Sequence, residues 1–164
     1  MASGDTLVIF MPGASSPRLT NPALPDRRNE HNVLDYNDTT NEDAVFEGVM
    51  PQHYAATTGV TVYIHYSMST ATSGDIDWDV SWERVGDQQL DIDADSFAAA
   101  NSVDNTTVPG TSGFVDIVSV AFTDGADMDS VAKGEKFRLK VTRDAVSDTA
   151  SGDAELHAVE LRET

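Results

Sequence analysis

Residues 76–83 alternate without a break. Ile76, Trp78, Val80 and Trp82 are apolar, while Asp77, Asp79, Ser81 and Glu83 are polar. A strand turns successive side chains to opposite faces, so this pattern sends two tryptophans into one core and the acids, Glu83 among them, into water. A helix cannot absorb it, because Asp77 and Asp79 would stand within the arc of Ile76 and Val80.

The same period recurs along the chain. Val60, Val62, Ile64, Tyr66 and Met68 share one parity, and Phe137, Leu139 and Val141 alternate with Lys136, Arg138, Lys140 and Thr142. Thr6 to Met11, Val33 to Tyr36 and Ala44 to Met50 are shorter runs. Phe114 to Phe122 is denser, as expected of a strand flanked on both sides. In Ala154 to Arg162 the parity breaks, with Leu156 and Ala158 on one face and Val159 and Leu161 on the other. A β-bulge near Ala158 would reconcile them. The one helical expectation is Ser96 to Ser102, around Phe97-Ala98-Ala99-Ala100.

Turn signals such as Ser73-Gly74-Asp75, Pro109-Gly110 and Lys133-Gly134 separate these runs. About eight or nine strands with no βαβ alternation predict an all-β, antiparallel β-sandwich of jelly-roll type, with an immunoglobulin-like topology as competitor.

The N-terminal portion breaks the rhythm. Four of the six prolines, Pro12, Pro17, Pro22 and Pro25, fall between positions 12 and 25. Proline fixes φ and removes a donor, so Ala14 to Asn32 is expected to be an extended arm or long loop. The chain then divides into a first strand and Pro-rich arm over 1–32 and a sandwich over 33–164. The arm, with Pro12, Pro17, Pro22, Pro25, Arg27 and Arg28, is the first place to look for function, by assembly on a neighbour or by packing on its own domain.

Charge narrows the partners. A net charge of −18 repels phosphate backbones, which disfavours nucleic acid. From His31 to Ala132 the only basic residue is Arg84, against eighteen acids, and five basic residues then fall between Lys133 and Arg143. A basic strand in an acidic body suits contact between copies or charge pairing inside one sheet. No run approaches the roughly 20 apolar residues of a membrane span. Met1-Ala2-Ser3-Gly4-Asp5 lacks the features of a signal peptide, so cytoplasmic synthesis is expected. Without cysteine there is no disulfide framework and no thiolate metal site.

Catalytic patterns are weak. No Gly-x-Ser-x-Gly elbow occurs, and Ser112 in Gly110-Thr111-Ser112-Gly113 does not match one. His31, His53, His65 and His157 are dispersed. The chain is therefore expected to be no enzyme and to need no cofactor, with calcium the one ion to weigh. Asp91, Asp93 and Asp95 have the opening spacing of an EF-hand loop, but Ser96 replaces its glycine and Ser102 its glutamate. Asp124, Asp127 and Asp129 make a second oxygen-rich loop. Tyr54, Tyr63 and Tyr66 are candidates for a sugar-stacking platform, whereas Trp78 and Trp82 read as core.

One resemblance adds to this reading. The chain opens Met-Ala-Ser-Gly-Asp-Thr-Leu, passes through Asp26-Arg27-Arg28-Asn29, Val33-Leu34-Asp35-Tyr36, Ala44-Val45-Phe46-Glu47-Gly48-Val49-Met50-Pro51 and Gly59-Val60-Thr61-Val62-Tyr63, and ends with Gly134 to Asp144, Gly152 to Leu156 and Val159-Glu160-Leu161. This order resembles small jelly-roll virion structural proteins of tailed bacteriophages. The resemblance implies a capsid decoration protein or tail-fibre head, made in the host cytoplasm and located in the virion. It also implies a homotrimer on a major capsid or tail protein, contacts made through the N-terminal arm, and no active-site residues. The alternative is a carbohydrate- or receptor-binding β-sandwich module, with a glycan as partner.

Overall fold

The computed structural model describes residues 4–16, 20–89 and 91–164. Its strands are β1 (Thr6–Phe10), β2 (Ser15–Ser16), β3 (Leu24–Arg28), β4 (His31–Tyr36), β5 (Glu42–Val49), β6 (Val60–Met68), β7 (Asp75–Val85), β8 (Asn101–Thr107), β9 (Asp116–Phe122), β10 (Lys136–Arg143) and β11 (Ala154–Glu163). They form two antiparallel sheets. The first has the order β3-β4-β11-β6-β9, with β1 also on β11, and the second the order β2-β5-β10-β7-β8.

Strands β4 to β11 explain the topology. The chain crosses between sheets at every step except β7 to β8, which leaves β4-β11-β6-β9 facing β5-β10-β7-β8. Two interleaved four-stranded sheets of this kind are a jelly roll. The immunoglobulin-like alternative is thereby set aside.

The core has the parity that the sequence predicts. Ile76, Trp78, Val80 and Trp82 of β7 are fully buried, as are Val60, Val62, Ile64 and Tyr66 of β6. Trp78 meets Tyr36 and Tyr66 edge-on at centroid distances of 5.1 and 5.6 Å. Trp82 packs on Phe122 and Phe137 at 5.9 and 4.9 Å. These rings link strands of both sheets, so burial and quadrupole geometry act together. The expected bulge is also present. Leu156 pairs with Tyr66 and Ala158 with His65, which leaves His157 as the extra residue.

The basic strand pairs within its own sheet. β10 lies between β5 and β7, with Arg138 opposite both Glu47 and Glu83. Arg138 Nε donates to Glu83 Oε2 at 2.8 Å, and Lys136 pairs with Glu47 at 2.7 Å. Charge pairing inside one sheet, one of the two roles open to this strand, is present.

Four expectations need correction. Ser96 to Ser102 is not helical: residues 95–100 run without regular structure, and β8 begins at Asn101. Ala98 N donates to Trp82 O at 2.8 Å, and the Phe97 ring lies under Arg138 and Lys140 at 4.9 and 5.1 Å. Those contacts outweigh a helix too short to propagate. β9 is an edge strand rather than a doubly flanked one. Val118, Val120 and Phe122 face the core, while Phe114, Val115 and Ile117 are exposed. Glu83 is buried, because Arg138 covers it.

The fourth correction concerns the N-terminal arm. Pro12 opens a 3-10 turn over Pro12–Ala14, Pro22 bridges to Asp43, and Pro25 lies in β3. Pro17 lies outside the described residues. The boundary drawn between residues 32 and 33 falls inside the β3–β4 hairpin, where Arg28 pairs with His31 and Leu24 with Asp35. Proline is compatible with β3 because that strand is a sheet edge, where a missing N–H goes unnoticed.

Candidate functional site

The N-terminal segment crosses the sandwich twice. β1 pairs with β11 in the first sheet, β2 with β5 in the second, and β3 with β4 in the first again. Between these crossings Ala23 N donates to Asp43 O at 2.9 Å, and Asp43 N donates to Asn21 O at 3.0 Å. The segment therefore stitches the two sheets together at one open edge of the jelly roll.

That stitching leaves a cleft of about 640 Å³. Such a volume is in the range of small-molecule sites, which combine apolar walls with a few placed polar groups. Pro12, Gly13, Pro22, Ala23 and Pro25 supply apolar wall, and Ser15, Ser16, Asp26, Arg27, Asn32 and Asp43 supply polar groups. The side chains of Ser15, Ser16, Arg27 and Asn32 have no hydrogen-bond or ion-pair partner among the described residues, whereas Asp43 accepts from Thr142 Oγ1. Strand register aims two of them. Pro25 pairs with Leu34 and Arg27 with Asn32, so all four residues share one hairpin face. Leu34 buries its side chain in the core, and Arg27 and Asn32 carry that inward face past the core's rim.

The arm residues thus separate by role. Pro12, Pro22, Pro25 and Arg27 line the cleft. Arg28, one strand position on, faces the other way. Its Nη1 donates to Glu155 Oε2 at 2.7 Å and to the carbonyls of Met68 and Ser69 at 3.0 and 3.3 Å.

Beside Arg28 stands a constellation that sequence reading missed. Ser67 Oγ donates to Glu155 Oε2 at 3.0 Å and lies 2.9 Å from His157 Nε2. Serine, histidine and glutamate invite comparison with a hydrolytic triad. The proton order is wrong for one. Ser67 has a single proton and gives it to Glu155, so His157 Nε2 must be the donor to Ser67. A general base would accept that proton. Ser67 is also fully buried. Burial pushes the His157 pKa down, which keeps the ring neutral. Strand alternation already puts Glu155 and His157 on one face, but only the pairing of Glu155 with Ser67 brings the serine to them, and no local pattern signals that pairing.

The oxygen-rich loops hold several of their carboxylates in local hydrogen bonds. Among the described residues no three His, Asp or Glu side chains converge on one point. Asp91, Asp93 and Asp95, weighed for calcium, are instead turn-formers. Asp91 Oδ1 accepts from Asp93 N at 3.0 Å, and Asp95 Oδ1 from Ser96 N at 2.8 Å. In the second loop Asp124 accepts from Tyr54 Oη at 2.8 Å and Asp129 from Arg84 N at 2.7 Å. Thr123 N and Oγ1 donate to Asp127 at 3.0 and 2.9 Å and hold its pKa below the usual carboxylate value. Short polar side chains bonding to nearby backbone are common in loops.

The tyrosine platform fails as well. Tyr54 and Tyr66 are buried, and the Arg162 guanidinium covers the Tyr63 ring at 4.2 Å. Tyr66 Oη donates to Asp116 Oδ2 at 3.1 Å, and burial pushes the Tyr66 hydroxyl pKa far up.

No protein-family model matches the chain, and no curated protein does. Solved structures do. A family 35 carbohydrate-binding module from an environmental isolate superposes with a TM-score of 0.54 at 14% identity, covering 94% of this chain and 92% of that one. The C-terminal family 6 module of a marine laminarinase from Zobellia galactanivorans gives 0.49 at 11% identity, covering 95% and 98%. A xylan-binding family 15 module gives 0.46 at 10% identity, covering 96% and 97%. The first of these likenesses places the chain in a fold class, the jelly-roll β-sandwich, at the level of architecture alone.

Proposed function

We propose that this chain is a non-catalytic carbohydrate-binding β-sandwich module and that its sugar site is the cleft at the stitched edge. The observation that carries the reading is the set of unspent polar side chains in that cleft: Ser15, Ser16, Arg27 and Asn32. Sugars present hydroxyls beside apolar C–H faces. Free hydroxyl, amide and guanidinium groups next to proline walls match both features. The fold shared with a family 35 module supports the reading.

Affinity electrophoresis against a panel of soluble polysaccharides tests it. At Gly13 a side chain meets open space and needs no left-handed backbone, so Gly13→Trp should fill the cleft without strain. The expected result is retardation by at least one polysaccharide, abolished in Gly13→Trp with circular dichroism unchanged. Retardation by none, or retardation that survives Gly13→Trp, would overturn it.

A second reading is a virion surface component assembled from several copies. The exposed apolar strip of Phe114, Val115 and Ile117 along the β9 edge favours it. Solution mass decides: a monomer at all workable concentrations would remove it, and a trimer would support it.

A further inference from the structure

One hairpin carries both a wall of the cleft and a single anchoring ion pair. We infer that the β3–β4 hairpin is a hinged wall and that Arg28, seated on Glu155, is the latch that holds it closed. Arg28 is then a positioning residue for binding in the cleft, and to that extent the inference rests on the proposed glycan reading.

The hairpin is loosely attached. β4 pairs with β11 only through Leu34, Asp35 and Tyr36. β6 occupies the other side of β11, and from Val159 onward β1 takes the side that β4 has left. β3 pairs with β4 alone, so Asp26 to Val33 extend past the rest of the ladder. From Leu24 to Asn32 every residue except Arg28 is exposed, and Val33 is the first buried one. A segment with so few buried contacts opens at less cost than the whole fold. The facing wall is fixed, because Ser15 and Ser16 pair with β5, which also supplies Asp43 and Ala44. Movement of the hairpin therefore changes the width of the cleft.

Arg28 supplies the hold. Among the described residues it is the one side chain from Leu24 to Val33 that hydrogen-bonds outside the hairpin. It reaches Glu155 on β11 and the carbonyls of Met68 and Ser69 at the end of β6. Its guanidinium also lies against Gly113, where a Cβ would stand 2.8 Å from Nη2. The receiving half is already formed without it. Ser67, fully buried, donates to the same Glu155 oxygen, so the carboxylate keeps a partner when Arg28 leaves. A charge-assisted bond onto a prepared acceptor is strong enough to decide the position of a segment held by little else.

Amide hydrogen exchange of the full chain tests the latch without any ligand. In Arg28→Gln, exchange over residues 24–33 should quicken by about tenfold or more, while β6, β7 and β10 keep their protection. Arg28→Lys should recover part of the loss, because the charge returns without the planar fork. A second arm repeats the affinity electrophoresis with the polysaccharide that retards the wild-type chain. Arg28→Gln should weaken that retardation by about tenfold, although Arg28 does not line the cleft. Exchange that is unchanged, or that quickens evenly through the sandwich, would overturn the inference. So would polysaccharide binding indifferent to Arg28→Gln, which leaves the glycan reading intact. Retardation by no polysaccharide removes the glycan reading alone, and the exchange result then decides the latch.

Discussion

Arg143 Nε donates to Asp148 Oδ2 at 2.7 Å, and both side chains are sealed from water. The remaining guanidinium donors reach the carbonyls of Ala150 at 2.8 Å, Gly152 at 2.9 Å and Tyr36 at 3.3 Å. One buried cation thereby pins the β10–β11 connection to the sandwich. Burial raises the Asp148 pKa most, with the Asp77 and Asp144 charges adding to it, and the Arg143 hydrogen bond and charge pull it part of the way back.

Arg143→Ala should therefore destabilise the fold by about 3–5 kcal/mol, because it strands a buried carboxylate and three carbonyls at once. Asp148→Asn should be milder, since an amide oxygen still accepts from the guanidinium. Urea unfolding at neutral pH measures both. Equal effects would show that the ion pair, and not the carbonyl bonds, carries the load.

Asp35 should give a pH signature. Its pKa is pushed up to about 6 by burial first, then by the charges of Asp153, Asp26, Glu155 and Glu42. A carboxyl with a raised folded-state pKa binds its proton more tightly in the folded chain. Its contribution is favourable below about pH 4 and is lost as pH rises through about 6. Asp35→Asn removes the charge that repels these neighbours. It should stabilise the protein by about 1–2 kcal/mol at pH 7.5, after allowing for solvent screening, and by almost nothing at pH 4. Melting curves at the two pH values check the sign.

Phe10 tests whether the N-terminal segment belongs to its own sandwich. Its ring stacks on Phe46 at 5.3 Å and meets Phe137 edge-on at 6.2 Å. Phe10→Ala should cost about 3–5 kcal/mol by removing this buried ring. Deleting residues 1–31 should go further and unfold the domain. A folded monomer after that deletion, seen by size exclusion and circular dichroism, would instead support an arm built for a neighbouring subunit.

Gly59 is a backbone requirement. Its φ is +107°, and a Cβ there would stand inside contact distance of the Phe122 carbonyl oxygen at the end of β9. Gly59→Ala should destabilise by about 2 kcal/mol or more, combining left-handed strain with a clash against backbone that cannot swing away. Thermal melting reads it, with Gly13→Ala, in open space, as the neutral control.

Much of this fold was legible in the sequence. The alternation of Ile76 to Glu83 gave a strand with a known inner face, and broken parity located the bulge near Ala158, one residue from the extra residue His157. Both are local consequences of strand geometry, because a period of two survives any partner. Polar β8, with the sequence Asn101 to Thr107, was not legible: its edge position makes no demand for an apolar face.

The sequence by itself determined the β-class, the core parity, the acidic surface and the importance of the Pro-rich segment. Only the tertiary structure decided what that segment does. Pairing of β1, β2 and β3 with strands far along the chain depends on contacts that no local pattern encodes. The same holds for the split between Arg27 and Arg28. Neighbours in sequence, they face opposite ways, one into an ion pair with Glu155 and the other into an open cleft.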